Sequence, residues 1–163
     1  RGSSTSRDTS SSRSRRETLS FVADAIDTAL PCVVQVIVEE RHGILGFNKT
    51  GSGFILNESG LVNTNEHVIG ASKAGASIKL EVQLSNGKSY PASLKGSDSD
   101  SDVALIQIDS PKEVKFTAAK IGTSRDLRMG EFVVALVHKK LMTTIVHTQC
   151  LSMIYIYYIA YKF

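Results

Sequence analysis

A histidine and an aspartate in this chain occupy positions from which they could take part in proton transfer. His67 follows a run of apolar and small polar residues, and Asp102 directly precedes the apolar run Val103–Ile108. A histidine can take up and release a proton near neutral pH, and a shielded carboxylate can hold its ring in one orientation. Asp98 and Asp100 belong to the same Ser/Asp segment. Only Asp102 abuts the apolar run, so we expect the other two to be loop residues.

A single histidine after a strand is more often a surface or hydrogen-bonded core residue than a base, so its surroundings matter. Gly51–Leu56 is typical of a strand and Asn57–Gly60 of a turn. Leu61–Thr64 is then the returning strand that delivers His67. A further strand, Val103–Ile108, is expected to leave directly from the aspartate. These elements place the two residues at the ends of predicted strands.

Several motifs in this order resemble the HtrA family of serine proteases, also called Deg or Do-like proteases. The family patterns G-S-G-F-I, T-N-x-H-V and S-D-x-A-L-I-x-I match Gly51–Ile55, Thr64–Val68 and Ser101–Ile108. The resemblance extends from about Leu19 to Leu136. It implies a trypsin-like N-terminal barrel in which His67 is the general base and Asp102 the carboxylate that orients it.

The family's serine nucleophile has no counterpart in this sequence. Family members carry a G-N-S-G-G segment with the serine and the amides of the oxyanion hole, and nothing resembling G-x-S-G-G occurs in the 163 residues. Beyond Leu136 the family pattern is lost. Ser152 and Cys150 can act as nucleophiles only in an arrangement that the family does not use. We therefore expect a truncated, degenerate Do-like serine endopeptidase homologue that is inactive in this form.

Two other functional interpretations stay open. One is a non-enzymatic interaction module that forms homo- or hetero-oligomers with intact Deg proteases. The other is a truncated gene product without a settled function. An active form would take polypeptide substrates, and we expect no cofactor. His42, His138 and His147 lack metal-like spacing with cysteines or carboxylates, so we expect no metal.

The expected fold class is all-β: a trypsin-like antiparallel β-barrel preceded by one helix, with the second barrel of the family largely missing. Apolar residues recur at helical spacing before Pro31, and Val33–Val38 follows as a β-branched strand. Ile78–Leu84 alternates strictly between apolar and polar residues and leads through an Asn-Gly turn into Lys88–Leu94. Arg41–Thr50, which contains two glycines, is predicted to be a loop. Phe132–Val137 is the last predicted strand.

Composition divides the chain into three parts. Residues 1–16 are rich in Ser and Arg and should be disordered, 17–136 form the protease-like barrel, and 137–163 form a divergent apolar tail. The first part carries five arginines and one aspartate, a net charge of +4. The whole chain has a net charge of +3, so residues 17–163 together have a net charge of −1. Nucleic-acid binding by the folded part is therefore not expected.

The Ser/Arg-rich segment has two interpretations, and they lead to different expectations for the subcellular localisation of the protein. It resembles a mitochondrial or chloroplast transit peptide, or the remnant of one. A phosphorylated or nucleic-acid-contacting basic tail is the rival interpretation. No run in the sequence reaches the roughly 18 uncharged apolar residues of a transmembrane helix, so we predict no transmembrane segment.

Overall fold

Six antiparallel strands form a closed barrel in the computed structural model, which describes residues 23–42, 45–70, 77–111, 113–123, 125, 134–136 and 147–148. The strands are β1 (Val33–His42), β2 (Leu45–Ile55), β3 (Leu61–Thr64), β4 (Ser77–Leu84), β5 (Ser89–Asp98) and β6 (Val103–Ile108). Around the barrel they follow the order β1-β2-β3-β6-β5-β4, and every neighbouring pair is antiparallel. The predicted all-β, trypsin-like barrel is confirmed.

Helical structure precedes the barrel, as the spacing of apolar residues predicted. Residues 23–29 are helical (α1), and Leu30–Cys32 adds a 3-10 turn that contains Pro31. Ala25 and Ala29, one helical turn apart, are the buried side chains of α1. A second, short helix, α2 (Glu66–Ile69), follows β3 and was not predicted. None of the helices in the described part of the chain is long and apolar enough to cross a membrane.

The barrel interior is filled by alternate residues of its strands. On β1 the inward residues are Val34, Val36 and Val38, and each is fully buried. β6 follows the same period of two with its buried Ala104, Ile106 and Ile108. On β4, Leu80 and Val82 are buried, which accords with the strict alternation in the sequence. In β4 the buried side chains are therefore ones that the alternation in sequence indicated.

The loop predicted over Arg41–Thr50 is not observed, and that prediction is wrong. β1 and β2 stay paired as far as His42 opposite Leu45. Lys49 Nζ lies 2.9 Å from Glu40 Oε2 across this hairpin. Residues 46–50 are exposed. Because this end of the hairpin extends beyond the core, its strands do not need the apolar alternation by which a half-buried strand is recognised.

A small second sheet follows the barrel in the chain. β7 (Val134–Ala135) pairs with β8 (His147–Thr148), and β7 lies inside the strand predicted over Phe132–Val137. The next residue, Leu136, packs on a cluster that contains Cys32, Val33 and Ala119. The predicted disordered segment 1–16 and residues 137–146 and 149–163 of the predicted tail lie outside the described residues. The boundaries of the three predicted parts stay predictions.

Candidate functional site

His67 lies on α2, a single helical turn held against the barrel by its own apolar residues. Val68 and Ile69 are buried, whereas the His67 side chain is 69% exposed. The turn begins where β3 ends, and there Thr64 Oγ1 donates a hydrogen bond to the carbonyl of Ser52 at 2.8 Å. The barrel therefore anchors both ends of the short segment that carries the histidine.

Asp102 stands in the turn before β6, with a φ of 53°. Among the described residues it is the only non-glycine residue with positive φ. Aspartate tolerates this left-handed conformation better than most residues do. The turn is closed by Asp98, whose carboxylate accepts hydrogen bonds from the Asp100 N–H at 3.2 Å and the Ser101 hydroxyl at 2.5 Å. Asp98 and Asp100 thus belong to the loop that presents Asp102.

The structure brings His67 and Asp102 together. His67 Nδ1 lies 2.8 Å from Asp102 Oδ2 and 3.0 Å from Oδ1. The backbone N–H of His67 donates to the same carboxylate, at 2.9 Å from Oδ1. Because an ionised carboxylate can only accept, the hydrogen in the ring contact must be on Nδ1. The neutral ring then has its lone pair on Nε2, the nitrogen from which a base would act.

The Asp102 carboxylate is stabilised in its ionised form by this surrounding set of donors. The His67 backbone N–H is the largest influence that lowers the pKa of Asp102 below its ordinary value. Partial burial opposes it, and the His67 ring and the Asn65 amide add to the lowering. Hydrogen bonds to the charged form, more than the charge of a neighbour, set the state of this group.

The expected shielding of Asp102 is only partly found. Its side chain is 42% exposed, although the residue directly precedes a buried strand. The exposure accords with its place in the turn, since β6 begins only at Val103. Water can therefore screen the pair, and the ion pair by itself contributes little to stability.

Asn65 is a site residue to which sequence reasoning gave no role. Its Nδ2 donates to Asp102 Oδ2 at 3.0 Å. The available signal was its place in T-N-x-H, two residues before the predicted base. The two weaker nucleophile candidates, Ser152 and Cys150, lie outside the described residues. In the part of the chain that the structure describes, no three His, Cys, Asp or Glu side chains are grouped so that they could hold a metal ion.

We expect the barrel to lose stability in acid as Asp102 becomes protonated. Its pKa is lower in the folded protein, so its contribution is fully present above the ordinary aspartate value of about 3.9 and is lost as the pH falls through the folded value. Urea unfolding from about pH 6 down to about pH 2 measures this loss. Asp98 and Glu39 have lowered pKa values for local reasons and add losses of the same sign.

Asp102→Asn isolates the contribution of the pair to this acid response. The variant should show a shallower fall in unfolding free energy than the parent chain. Glu39→Gln is the comparison variant: it removes a carboxylate whose pKa is lowered by Arg41, so it removes an acid loss that does not depend on the His67 site. An Asp102→Asn profile parallel to that of the parent would contradict the expectation.

Comparison with known proteins identifies a family for the barrel. Residues 51–153 match the family model of the trypsin-like peptidase domain. That match begins in β2, includes His67 and Asp102, and extends past Leu136. It therefore covers well over half of the chain.

Individual relatives are HtrA serine proteases. The chain is 42% identical over 127 residues to serine protease HTRA3 of Homo sapiens, a match that covers 76% of this chain and 28% of that protein. It is 38% identical over 128 residues to serine protease HTRA1B of Danio rerio, covering 76% of this chain and 25% of the relative. It is 36% identical over 124 residues to serine protease HTRA4 of Mus musculus, covering 74% of this chain and 24% of the relative.

The matches cover very different shares of this chain and of its relatives. The chain spans about a quarter of the length of the relatives, yet the matches take in about three quarters of the chain itself. The closed six-stranded barrel and the family match agree on the fold. The chain therefore belongs to the trypsin-like peptidase domain family, and its barrel is a domain of the HtrA type.

Proposed function

We propose that this chain supplies the histidine and aspartate of an HtrA-type serine endopeptidase site. His67 is the general base and Asp102 the residue that orients it. The observation that carries the proposal is the 2.8 Å contact between His67 Nδ1 and Asp102 Oδ2. The His67 backbone N–H, 2.9 Å from Oδ1, fixes the carboxylate on the side of the ring that must carry a proton. The substrates would be polypeptides, because the relatives are named as serine proteases.

The 163-residue chain on its own should not hydrolyse peptide bonds. A base of this kind works by accepting the hydroxyl proton of a nucleophile as that nucleophile attacks. The sequence has no G-x-S-G-G segment, so it has neither the family's serine nor the amides that stabilise the tetrahedral intermediate. One such donor alone is worth about 3 to 4 kcal/mol in the transition state. The pair at His67 is therefore half of a catalytic site.

Casein hydrolysis by the purified chain tests the inactivity. His67→Ala and Ser152→Ala are measured alongside, with Ser85→Ala as the matched control because Ser85 is an exposed serine in the turn between β4 and β5. We expect all four proteins to give the same background rate, and none to be labelled by a fluorophosphonate probe. Activity that is lost in His67→Ala and Ser152→Ala but kept in Ser85→Ala would show that the chain uses a rearranged nucleophile.

A binding role toward intact Deg-type proteases is the second candidate. It is supported by Phe47, which is 56% exposed on the hairpin of β1 and β2, and by Ile121, which is 63% exposed. Aromatic side chains are enriched at protein interfaces relative to the rest of a surface. Co-sedimentation of the inactive chain with a full-length HtrA protease would favour this role, and separate sedimentation at micromolar concentration would argue against it.

A further inference from the structure

Asn65 and the His67 ring contact the same oxygen of Asp102. Asn65 Nδ2 is 3.0 Å from Oδ2, and His67 Nδ1 is 2.8 Å from that atom. Oδ1 accepts the His67 backbone N–H at 2.9 Å. The carboxylate is thus held from two directions, by the backbone at one oxygen and by an amide at the other. Rotation of the carboxylate away from the ring would break both contacts.

The Asn65 side chain does not cap α2, although Asn65 occupies the N-cap position. Asn65 is the N-cap residue of α2, with extended φ and ψ of −84° and 145°, but its side chain makes no capping hydrogen bond. An asparagine there usually accepts a hydrogen bond from the N–H of the second or third helical residue, a contact worth about 1 kcal/mol. Here its amide donates to Asp102 instead.

Asp102, which is distant from α2 in the sequence, caps this helix. Its Oδ1 accepts the N–H of His67 at 2.9 Å, and its backbone carbonyl accepts the N–H of Glu66 at 3.3 Å. The first two N–H groups of the helix are satisfied in this way. Asn65 Nδ2 also approaches the Asp102 carbonyl, at 3.4 Å. Asn65 is therefore free to serve as a donor without leaving the helix uncapped.

We propose that Asn65 is a positioning residue for the histidine: its amide holds Asp102 Oδ2 against His67 Nδ1. Asn65 acts through Asp102 and need not touch a substrate. The proposal rests on the proposed function, because the orientation of His67 matters for catalysis only if His67 is the base. The contact itself is a property of the barrel and can be tested without catalysis.

The titration of Asp102, followed by the NMR signal of its carboxyl carbon, tests the proposal in the full chain. Asn65→Ala removes the donor and should shift the Asp102 titration to higher pH. Asn65→Asp should shift it further, since it replaces the donor with a second carboxylate. Asn65→Asp also keeps the side-chain size and a good N-cap residue, so it keeps the test open if the alanine variant fails to fold.

A matched control separates positioning from a general loss of stability. Asn86 lies in the turn between β4 and β5, where its Oδ1 accepts the N–H of Lys88 at 3.0 Å. Asn86→Ala and Asn86→Asp make the same chemical changes in that turn and should leave the Asp102 titration unmoved. An Asp102 titration in Asn65→Ala equal to that of the parent would overturn the proposal. Neither result depends on casein hydrolysis, so failure of this proposal is distinguishable from failure of the proposed function.

Discussion

Replacing Asp102 with asparagine should leave the barrel folded and move the proton of neutral His67 from Nδ1 to Nε2. Asparagine tolerates the positive φ of position 102 as well as aspartate does. Its amide oxygen can still accept the His67 backbone N–H, which now lies 2.9 Å from Oδ1. The amide nitrogen would then replace Oδ2 opposite both Nδ1 and the Asn65 amide. Because it donates, Nδ1 must accept, and Asn65 must turn its amide oxygen toward it.

This single exchange would remove the lone pair from the nitrogen that a base must use. In a complete triad the same exchange lowers kcat by about 10⁴, since the histidine is held in the wrong tautomer. In this chain the effect is read directly by long-range nitrogen–proton NMR, which distinguishes a protonated from an unprotonated ring nitrogen. The parent should carry its proton on Nδ1 and Asp102→Asn on Nε2, at a pH where the ring is neutral.

Two further variants test whether the tautomer depends on the Asp102 carboxylate. Asp100→Asn makes the same change in the same exposed turn and should leave the His67 tautomer as in the parent. Asp102→Ala removes the acceptor for the α2 N–H group as well, and should lower the unfolding free energy more than Asp102→Asn does. A parent protein with the proton on Nε2 would show that the contact between Nδ1 and Oδ2 is not made in solution.

Much of the barrel follows from sequence because its strands are half buried. Ile78–Leu84 alternates in sequence and forms β4, with Leu80 and Val82 in the interior. Val103–Ile108 was identified as an apolar run and forms β6. In both strands the core requires apolar residues: in β4 the requirement is visible in the sequence as a period of two, and in β6 as a nearly continuous apolar run whose burial alternates.

Other features were not predictable because no such requirement acts on them. The exposed end of the β1–β2 hairpin is held by backbone pairing and by polar contacts such as that between Lys49 and Glu40, which leave no apolar pattern. The role of Asn65 depends on a residue 37 positions away in the chain. The resemblance of the motifs predicted that His67 and Asp102 belong to one site. It gave no indication that Asp102 also caps the helix that carries His67.

Asp102 both contacts the His67 ring and caps the helix that carries His67. In the described part of the chain, the hydrogen bonds to the Asp102 carboxylate come from Asn65 and His67, and all three residues belong to the six-stranded barrel or to the turns between its strands. The barrel can therefore orient His67 without any contribution from a second barrel. The same hydrogen bonds stabilise α2, so the geometry of the pair has a structural use whether or not a nucleophile is supplied.

The position of α2, and with it His67, should depend on the absence of a side chain at Gly51. A Cβ at that position would lie 2.5 Å from Val68 Cγ1 and 3.0 Å from Val68 Cβ. Val68 is only 9% exposed and belongs to the barrel core, so it cannot simply turn into solvent. Gly51→Ala should therefore lower the unfolding free energy by about 1 to 3 kcal/mol and displace the helical turn.

Shortening Val68 should relieve the overlap. Val68→Ala alone should cost about 2 kcal/mol through lost burial and a cavity. In the double variant Gly51→Ala/Val68→Ala, the new methyl group occupies part of the space that the valine leaves. The two losses should then be less than additive, by an amount in the usual range of about 0.5 to 3 kcal/mol for residues in contact. Urea unfolding of the four proteins measures this coupling.

The amide signal of His67 reports the same coupling at the site, because its N–H donates to Asp102. It should shift in Gly51→Ala and return toward the parent position in the double variant. Gly96→Ala is the matched control: a Cβ there meets nothing within 4 Å, and its unfolding free energy should change by no more than about 0.5 kcal/mol. Additive losses, with an unmoved His67 signal, would mean that α2 is not positioned by the close approach of Val68 to the backbone of β2.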